Sequence, residues 1–171
     1  MALTFLLGGA RSGKSALAVR SASSWSGPVV FVATGTAVDE EMAERIRRHR
    51  AERPPGWTTV EEPVQLHEVV RGVPTDACLL VDCLSLWVAN VLEDGWQDDA
   101  VEEEATAVAA TAASREAMTV VVSNEVGLGV VPETPLGRRY RDVLGRVNAI
   151  FADAASEPLL VVAGRKIRLE S

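Results

Sequence analysis

The chain has 171 residues, 47% of them apolar and 24% charged, enough for one substantial core and too few for two full domains, so one domain over residues 1–171 is expected. Its net charge of −7 excludes a protein that grips nucleic acid through bulk positive charge, and no run of about 18 apolar residues is present for stable membrane insertion. The stretch from Met1 to Leu7 leads straight into a glycine-rich loop, which leaves no room for a signal peptide and makes a cytoplasmic protein the expectation.

The first predicted element is an apolar strand, Leu3 to Leu7, and Gly8-Gly9-Ala10-Arg11-Ser12-Gly13-Lys14-Ser15 follows it directly, completing the pattern G-x-x-x-x-G-K-[ST]. A triphosphate needs several donors converging on its oxygens. A glycine-rich turn supplies them by exposing successive backbone N–H groups at the positive end of a helix, here predicted over Lys14 to Ser24. In the mechanism attached to this motif, Lys14 neutralises the β- and γ-phosphate oxygens and the Ser15 hydroxyl holds Mg²⁺.

A second strand, Val29 to Ala33, precedes a helix over Asp39 to Arg53, on which Met42, Ile46, His49 and Arg53 share one face. Spacing alone leaves His49 either a packed core residue or a reacting group. Arg47, Arg48, Arg50 and Arg53 surround it, and they make either a cluster suited to a polyanion or a solvated helix face. The next helix is predicted over Val64 to Arg71, opened by Pro63 and ended by Gly72 in a left-handed conformation.

The strand Cys78 to Val81 runs into Asp82. This residue is either the carboxylate that a Mg²⁺-nucleotide site requires or a cap for the helix Leu84 to Leu92. Cys78 and Cys83 would lie roughly 16 Å apart on an extended chain, too far for a disulfide, so both read as buried structural thiols. Asp98 and Asp99 favour the start of a helix over Ala100 to Arg115. A strand at Thr119 to Val122 is followed by Ser123, Asn124 and Glu125, then by a helix over Leu136 to Ala155 and a strand over Leu159 to Ala163.

Continuous apolar strands alternating with helices imply an α/β fold: a single P-loop domain whose mostly parallel sheet carries helices on both faces. Ligands of such sheets bind at the carboxyl ends of the strands. The phosphate loop, Asp82, Asn124 and Glu125 should therefore meet in one crevice.

Beyond the loop, the matching stretches are Asp39-Glu40-Glu41-Met42 with Arg45-Ile46 and His49, Arg53-Pro54 with Trp57, Val81-Asp82-Cys83-Leu84, Ser123-Asn124-Glu125-Val126-Gly127, Val130-Val131-Pro132, and Arg141-Asp142 with Gly145-Arg146-Val147-Asn148. In this order and at these spacings, over essentially the whole chain, the sequence resembles the bifunctional adenosylcobinamide kinase and adenosylcobinamide-phosphate guanylyltransferase of cobalamin biosynthesis. The resemblance implies two reactions on one nucleotide cradle. ATP or GTP first phosphorylates the aminopropanol hydroxyl of adenosylcobinamide, and the histidine matched by His49 then takes GMP from GTP, releasing pyrophosphate, and passes it to adenosylcobinamide phosphate. A guanylylated imidazole splits one difficult transfer into two easier ones.

Carried over residue by residue, the resemblance places nucleotide contacts on Gly8 to Ser15, on Thr34, Gly35 and Thr36, on Arg50, Ala51, Glu52 and Arg53, and on Glu61 and Asp82. Mg²⁺ would lie between Ser15 and Asp82, and Asn124 and Glu125 would face the substrate. Glu61 is a candidate for the guanine donors, with Glu62 a possible confusion. The segment bearing Arg138, Arg141, Asp142, Arg146 and Asn148 serves either substrate or subunit contact. The family association implies a homotrimer. The segment Thr34-Gly35-Thr36 carries glycine where members of the resembled family often have a bulkier residue, and the tail Ala163 to Leu169 lacks an expected proline, a departure expected to matter little for catalysis. Two other readings of the motifs are a small-molecule P-loop kinase with a single activity and a nucleotide-dependent switch module.

Overall fold

The fold is that of a computed structural model describing residues 3–37, 39–51 and 53–170, with the Arg45 side chain outside the description. In chain order it runs β1 (Leu3–Gly8), α1 (Lys14–Ser23), β2 (Val29–Ala33), α2 (Glu40–Ala51), β3 (Thr58–Glu61), α3 (Leu66–Gly72), β4 (Cys78–Asp82), α4 (Leu84–Glu93), α5 (Asp98–Ser114), β5 (Thr119–Asn124), α6 (Pro135–Ala154), β6 (Glu157–Val162) and β7 (Arg165–Arg168). Among the described residues one sheet takes all seven strands, in the order β3-β2-β4-β5-β1-β6-β7. Every pairing is parallel except β6 with β7.

The period of two along each strand divides the core. On β1, Leu3, Phe5 and Leu7 face one layer, where α3 to α6 contribute Leu66, Trp87, Val108 and Phe151 among others. Leu6 faces the opposite layer, against Ala18 and Ala22 of α1. Both faces are covered as expected, although four helices lie on one side. Phe5 and Phe151 pack with ring centroids 5.9 Å apart.

Local chemistry sets the element ends. Asp39 accepts from the Met42 N–H at 2.7 Å and so starts α2, while Thr134 Oγ1 accepts from the Gly137 N–H at 3.0 Å with Pro135 following, which starts α6. Two expectations are corrected. Helix α3 begins at Leu66 rather than Val64, because the Glu62 carboxylate accepts from the N–H groups of Val64 and Gln65 and holds that stretch as a turn. Gly72 closes α3 without a left-handed step, the chain continuing through an extended Val73.

Strands β3 and β7 were not expected. They are the two edges of the sheet, and Thr58-Thr59-Val60-Glu61 and Arg165-Lys166-Ile167-Arg168 have no continuous apolar run. Residues 163–164 form the tight turn between β6 and β7, with φ of 50° at Ala163 and 73° at Gly164. That turn lies directly behind the glycine-rich loop.

Candidate nucleotide site

Register brings the carboxyl ends of four strands level. Ala33 pairs with Asp82, Asp82 with Val122, and Asn124 with Gly8. The crevice beyond them is lined by Lys14, Ser15, Gly35, Met42, Ile46, His49, Arg53, Glu61, Asp82 and Asn124, together with Phe31, Ala33, Cys83 and Leu86.

The glycine-rich loop is shaped by close approach. A Cβ on Gly8 would stand 2.4 Å from the Val161 carbonyl oxygen, and Gly13 holds φ of 96°, a left-handed conformation suited to glycine. Gly13 is also the N-cap of α1 and makes no side-chain cap, at the end of the helix where first-turn N–H groups have no partner within the helix itself. Behind the loop, Gly164 donates its N–H to the Ser12 carbonyl at 2.8 Å, and its Cα lies 3.3 Å from where a Cβ on Gly13 would be. The tail, expected to matter little, thus props the loop. Lys14 is 8% exposed and donates Nζ to the Gly9 carbonyl at 3.0 Å.

Asp82 faces Lys14, Ser15, His49 and Arg53. Burial raises its pKa, against the opposing influence of His49, a hydrogen bond from the Ser15 hydroxyl, and the charges of Lys14 and Arg53. The alternative reading as a helix cap fails, since the residue at the N-cap of α4 is Cys83. The Asp82–Cys83 peptide is cis. Cys83 lines the same crevice, but burial and the neighbouring Asp82 push its thiol up to about 11, and Sγ lies 2.9 Å from Ser85 Oγ. It is therefore a neutral thiol near pH 7 and a poor nucleophile. Cys78 is likewise buried and unpaired with Cys83.

Helix α2 turns Met42, Ile46 and His49 toward the crevice, and Arg53, just beyond it, joins them. The guanidinium of Arg53 sits 3.7 Å over the Phe31 ring and donates to Thr59 Oγ1 at 3.3 Å, while its buried Nε has no hydrogen-bond partner among the described residues. Burial lowers its pKa, partly offset by Asp82. Arg50 forms an ion pair with Glu61. Arg47 pairs with Glu44 at 2.6 Å on the exposed side. Gly35 fits because a Cβ there would already stand 3.1 Å from Leu86 Cδ1 and 3.8 Å from Ile46 Cδ1.

Not every residue carried over by resemblance faces the crevice. Thr34 is fully buried, and its hydroxyl accepts from the Cys83 N–H at 2.9 Å and donates to the Cys83 carbonyl at 2.6 Å. It splices β2 to the end of β4 and has no hydroxyl hydrogen left for a nucleotide. Thr36 and Ala51 are exposed. Glu52 lies outside the described residues. Glu62 is committed to Val64 and Gln65, which separates it from Glu61. Glu125 sits at the crevice edge, where its N–H donates to the Gly8 carbonyl at 3.1 Å and its carboxylate accepts from the Gly127 N–H.

Sequence reasoning missed the floor of the crevice, Phe31 and Leu86, and the support beneath Asn124. Buried Asn148 on α6 accepts from Ser123 Oγ at 2.6 Å and donates to the Asn124 carbonyl at 3.0 Å. The arginines of α6 divide by function: Arg146 pairs with Asp98 and Glu102, Arg139 with Asp98, and Arg138 donates to the carbonyls of Pro132 and Glu133. Among the described residues no group of three or more His, Cys, Asp or Glu gathers as a metal cluster, and no helix is long and apolar enough to cross a membrane.

Comparison with known proteins adds three findings. A family model described as cobinamide kinase / cobinamide phosphate guanyltransferase matches residues 4–169. Similar curated proteins include the bifunctional adenosylcobalamin biosynthesis protein CobP of Pseudomonas aeruginosa, 42% identical over 96% of this chain and 95% of its own length, and CobU of Escherichia coli, 37% identical over 98% and 99%. Among solved structures, an ATPase from the type III secretion system of pathogenic bacteria superposes with a TM-score of 0.57 at 11% identity, covering 93% of this chain and 50% of that one. This last likeness concerns the fold alone.

Proposed function

The chain belongs to the cobinamide kinase / cobinamide phosphate guanyltransferase family, and from that premise we propose that one cradle presents the nucleotide to both transfers, with His49 as the guanylyl carrier. The protein is a bifunctional enzyme of cobalamin biosynthesis, an adenosylcobinamide kinase and an adenosylcobinamide-phosphate guanylyltransferase. The observation that carries the proposal is that His49 lines the same crevice as Lys14, Ser15 and Asp82.

In the kinase step the first-turn N–H groups and Lys14 hold the phosphates, with Lys14 exchanging the Gly9 carbonyl for phosphate oxygens. The substrate hydroxyl attacks the γ-phosphorus, loses its proton and releases the nucleoside diphosphate. Catalysis here is positioning and charge stabilisation. In the second reaction an imidazole nitrogen of His49 attacks the α-phosphorus of GTP and pyrophosphate leaves. A phosphate oxygen of adenosylcobinamide phosphate then attacks that phosphorus, freeing the imidazole and giving adenosylcobinamide-GDP. The thiol in the crevice, Cys83, is protonated near pH 7, which favours the histidine over it.

The hydroxyl of Ser15 bonded to the Asp82 carboxylate is a pair of hard oxygen groups and fits Mg²⁺. Ser15 and Asp82 would hold the ion, which when bound neutralises phosphate charge. Arg53 with its unpartnered Nε, Arg50 and Glu61 form the wall against which the rest of the nucleotide lies. We place the reaction in the cytoplasm, with ATP and GTP as its substrates, and the working unit as a homotrimer in which each chain, 1–171, is one catalytic domain.

The test is incubation with GTP labelled at the α-phosphate, followed by mass spectrometry of enzyme and cobinamide. The native protein is expected to carry an acid-labile GMP, and His49→Ala to lose it while still phosphorylating adenosylcobinamide. An adduct that survives in His49→Ala refutes the carrier, and cobinamide left without phosphate refutes the kinase.

A further inference from the structure

We infer that the loop from Val126 to Pro132, with Leu136, is the surface on which the corrin ring of the substrate rests, an assignment that depends on the cobinamide reading above. Leu128 is 86% exposed, Val130 94%, Val131 59% and Leu136 57%. Residues 126–132 contain no charged side chain. Large apolar side chains left exposed this close together along a folded chain mark a place of interaction.

The loop is built and not merely left over. It leaves the crevice at Asn124. Its root is tied to the phosphate loop by the Glu125 N–H on the Gly8 carbonyl at 3.1 Å, and its first turn is fixed by the Glu125 carboxylate on the Gly127 N–H. At its far end Arg138 donates to the carbonyls of Pro132 and Glu133 at 3.0 and 2.7 Å, and Pro132 packs where a Cβ on Gly137 would otherwise be, at 2.9 Å. Both ends are held, and the root of the loop lies against the glycine-rich loop.

The chemistry of the acceptor selects the occupant. The hydroxyl that receives phosphate ends a short arm on a broad macrocycle. Only the arm enters a crevice already holding a nucleotide, and the ring must lie at the mouth. One side of the mouth is α2, whose outward residues are Glu41, Glu44, Arg47 and Arg48. The other carries Asn124, from which the apolar loop departs, and that loop suits the methyl groups that a corrin carries between its amide arms. A second copy of the chain is the poorer match, since a stable protein interface takes about 20–30 residues a side and this surface offers four large side chains.

The test uses the full-length triple variant Leu128→Ser/Val130→Ser/Val131→Ser, together with Val130→Ser alone as the milder change. The expected result is a KM for adenosylcobinamide raised about tenfold or more in the triple variant, while the KM for GTP stays within about twofold and the molar mass by light scattering matches the native protein. Leu128→Met/Val130→Ile should keep the native KM. An unchanged KM for adenosylcobinamide in the triple variant overturns the assignment, and so does a change of molar mass, which would make the loop an interface between copies. Failure of the native enzyme to phosphorylate cobinamide would instead strike the functional reading itself, a result visible before any substitution is made.

Discussion

Replacing Gly164 by alanine perturbs the phosphate cradle from behind without touching the nucleotide. The added Cβ meets nothing within 4 Å, so the cost is conformational. Holding an L-residue at φ of 73° costs roughly 1–2 kcal/mol, and for a chain of this length about 1 kcal/mol lowers Tm by about 2–4 °C. The strain can be relieved only if the turn swings away, which breaks the 2.8 Å hydrogen bond from Gly164 to the Ser12 carbonyl and removes the contact that backs Gly13. Gly164→Ala should therefore lower the Tm of the ligand-free protein by about 2–8 °C and weaken GTP binding about two- to tenfold, since 1.4 kcal/mol is tenfold in Kd. Thermal melts and titration with a fluorescent GTP analogue measure both. Gly145→Ala, in the middle of α6 with open space around it, is the control with the opposite sign, expected to stabilise by about 0.5–1 kcal/mol. An unchanged Tm in Gly164→Ala, or a lowered Tm with full GTP affinity, would refute the argument that the turn supports the cradle.

Two further substitutions probe other parts of the molecule. Asp82 has its pKa raised above the ordinary 3.8 by burial, so the folded chain holds this proton more tightly than the unfolded one. The contribution of this group to stability is then full below about 3.8 and is lost as pH rises through the folded pKa. Asp82→Asn should raise the neutral-pH Tm of the ligand-free protein and abolish Mg²⁺-nucleotide turnover. Melts between about pH 4 and 8 test the sign, and a lower Tm at neutral pH would contradict it. Arg115 is 8% exposed and donates to the carbonyls of Val73, Pro74 and Ala77 at 3.0, 2.8 and 2.7 Å. Arg115→Ala should cost about 3 kcal/mol in urea unfolding, and Arg115→Lys most of that, because one ammonium cannot replace the planar fork; a loss under about 0.5 kcal/mol would mean that water satisfies these carbonyls.

The parts of the fold visible in the sequence were those with a strong local signal. Leu3 to Leu7 is buried on both faces and reads as an apolar run, and the glycines after it are required by local clashes and dihedral angles. The edge strands escaped because an edge needs no apolar run, and Thr58 to Glu61 is polar enough to pass for a loop. Position along a strand was enough to bring Asp82 and Asn124 to the crevice, and helical spacing was enough to put Met42, Ile46 and His49 on one face. What spacing could not show was the long-range partner. Thr34 meets Cys83 across 49 residues, Arg53 lies over Phe31, and Asn148 reaches Ser123 from another helix. Each depends on which strand lies beside which, and no local pattern records that order.

The place of β1 in the sheet has a consequence for assembly. It carries the phosphate loop, yet its neighbours are β5 and β6, and the Thr4 hydroxyl reaches Glu157 across 153 residues. Contacts of such sequence separation are slow to form, because the loop-closure entropy is lost before the pairing rewards it. The contact of the β6–β7 turn with Ser12 is of the same long-range kind, and a chain that has not made it lacks the prop behind the cradle. Nucleotide binding then acts as a check on completed folding, drawing only the finished sheet toward the bound state by mass action.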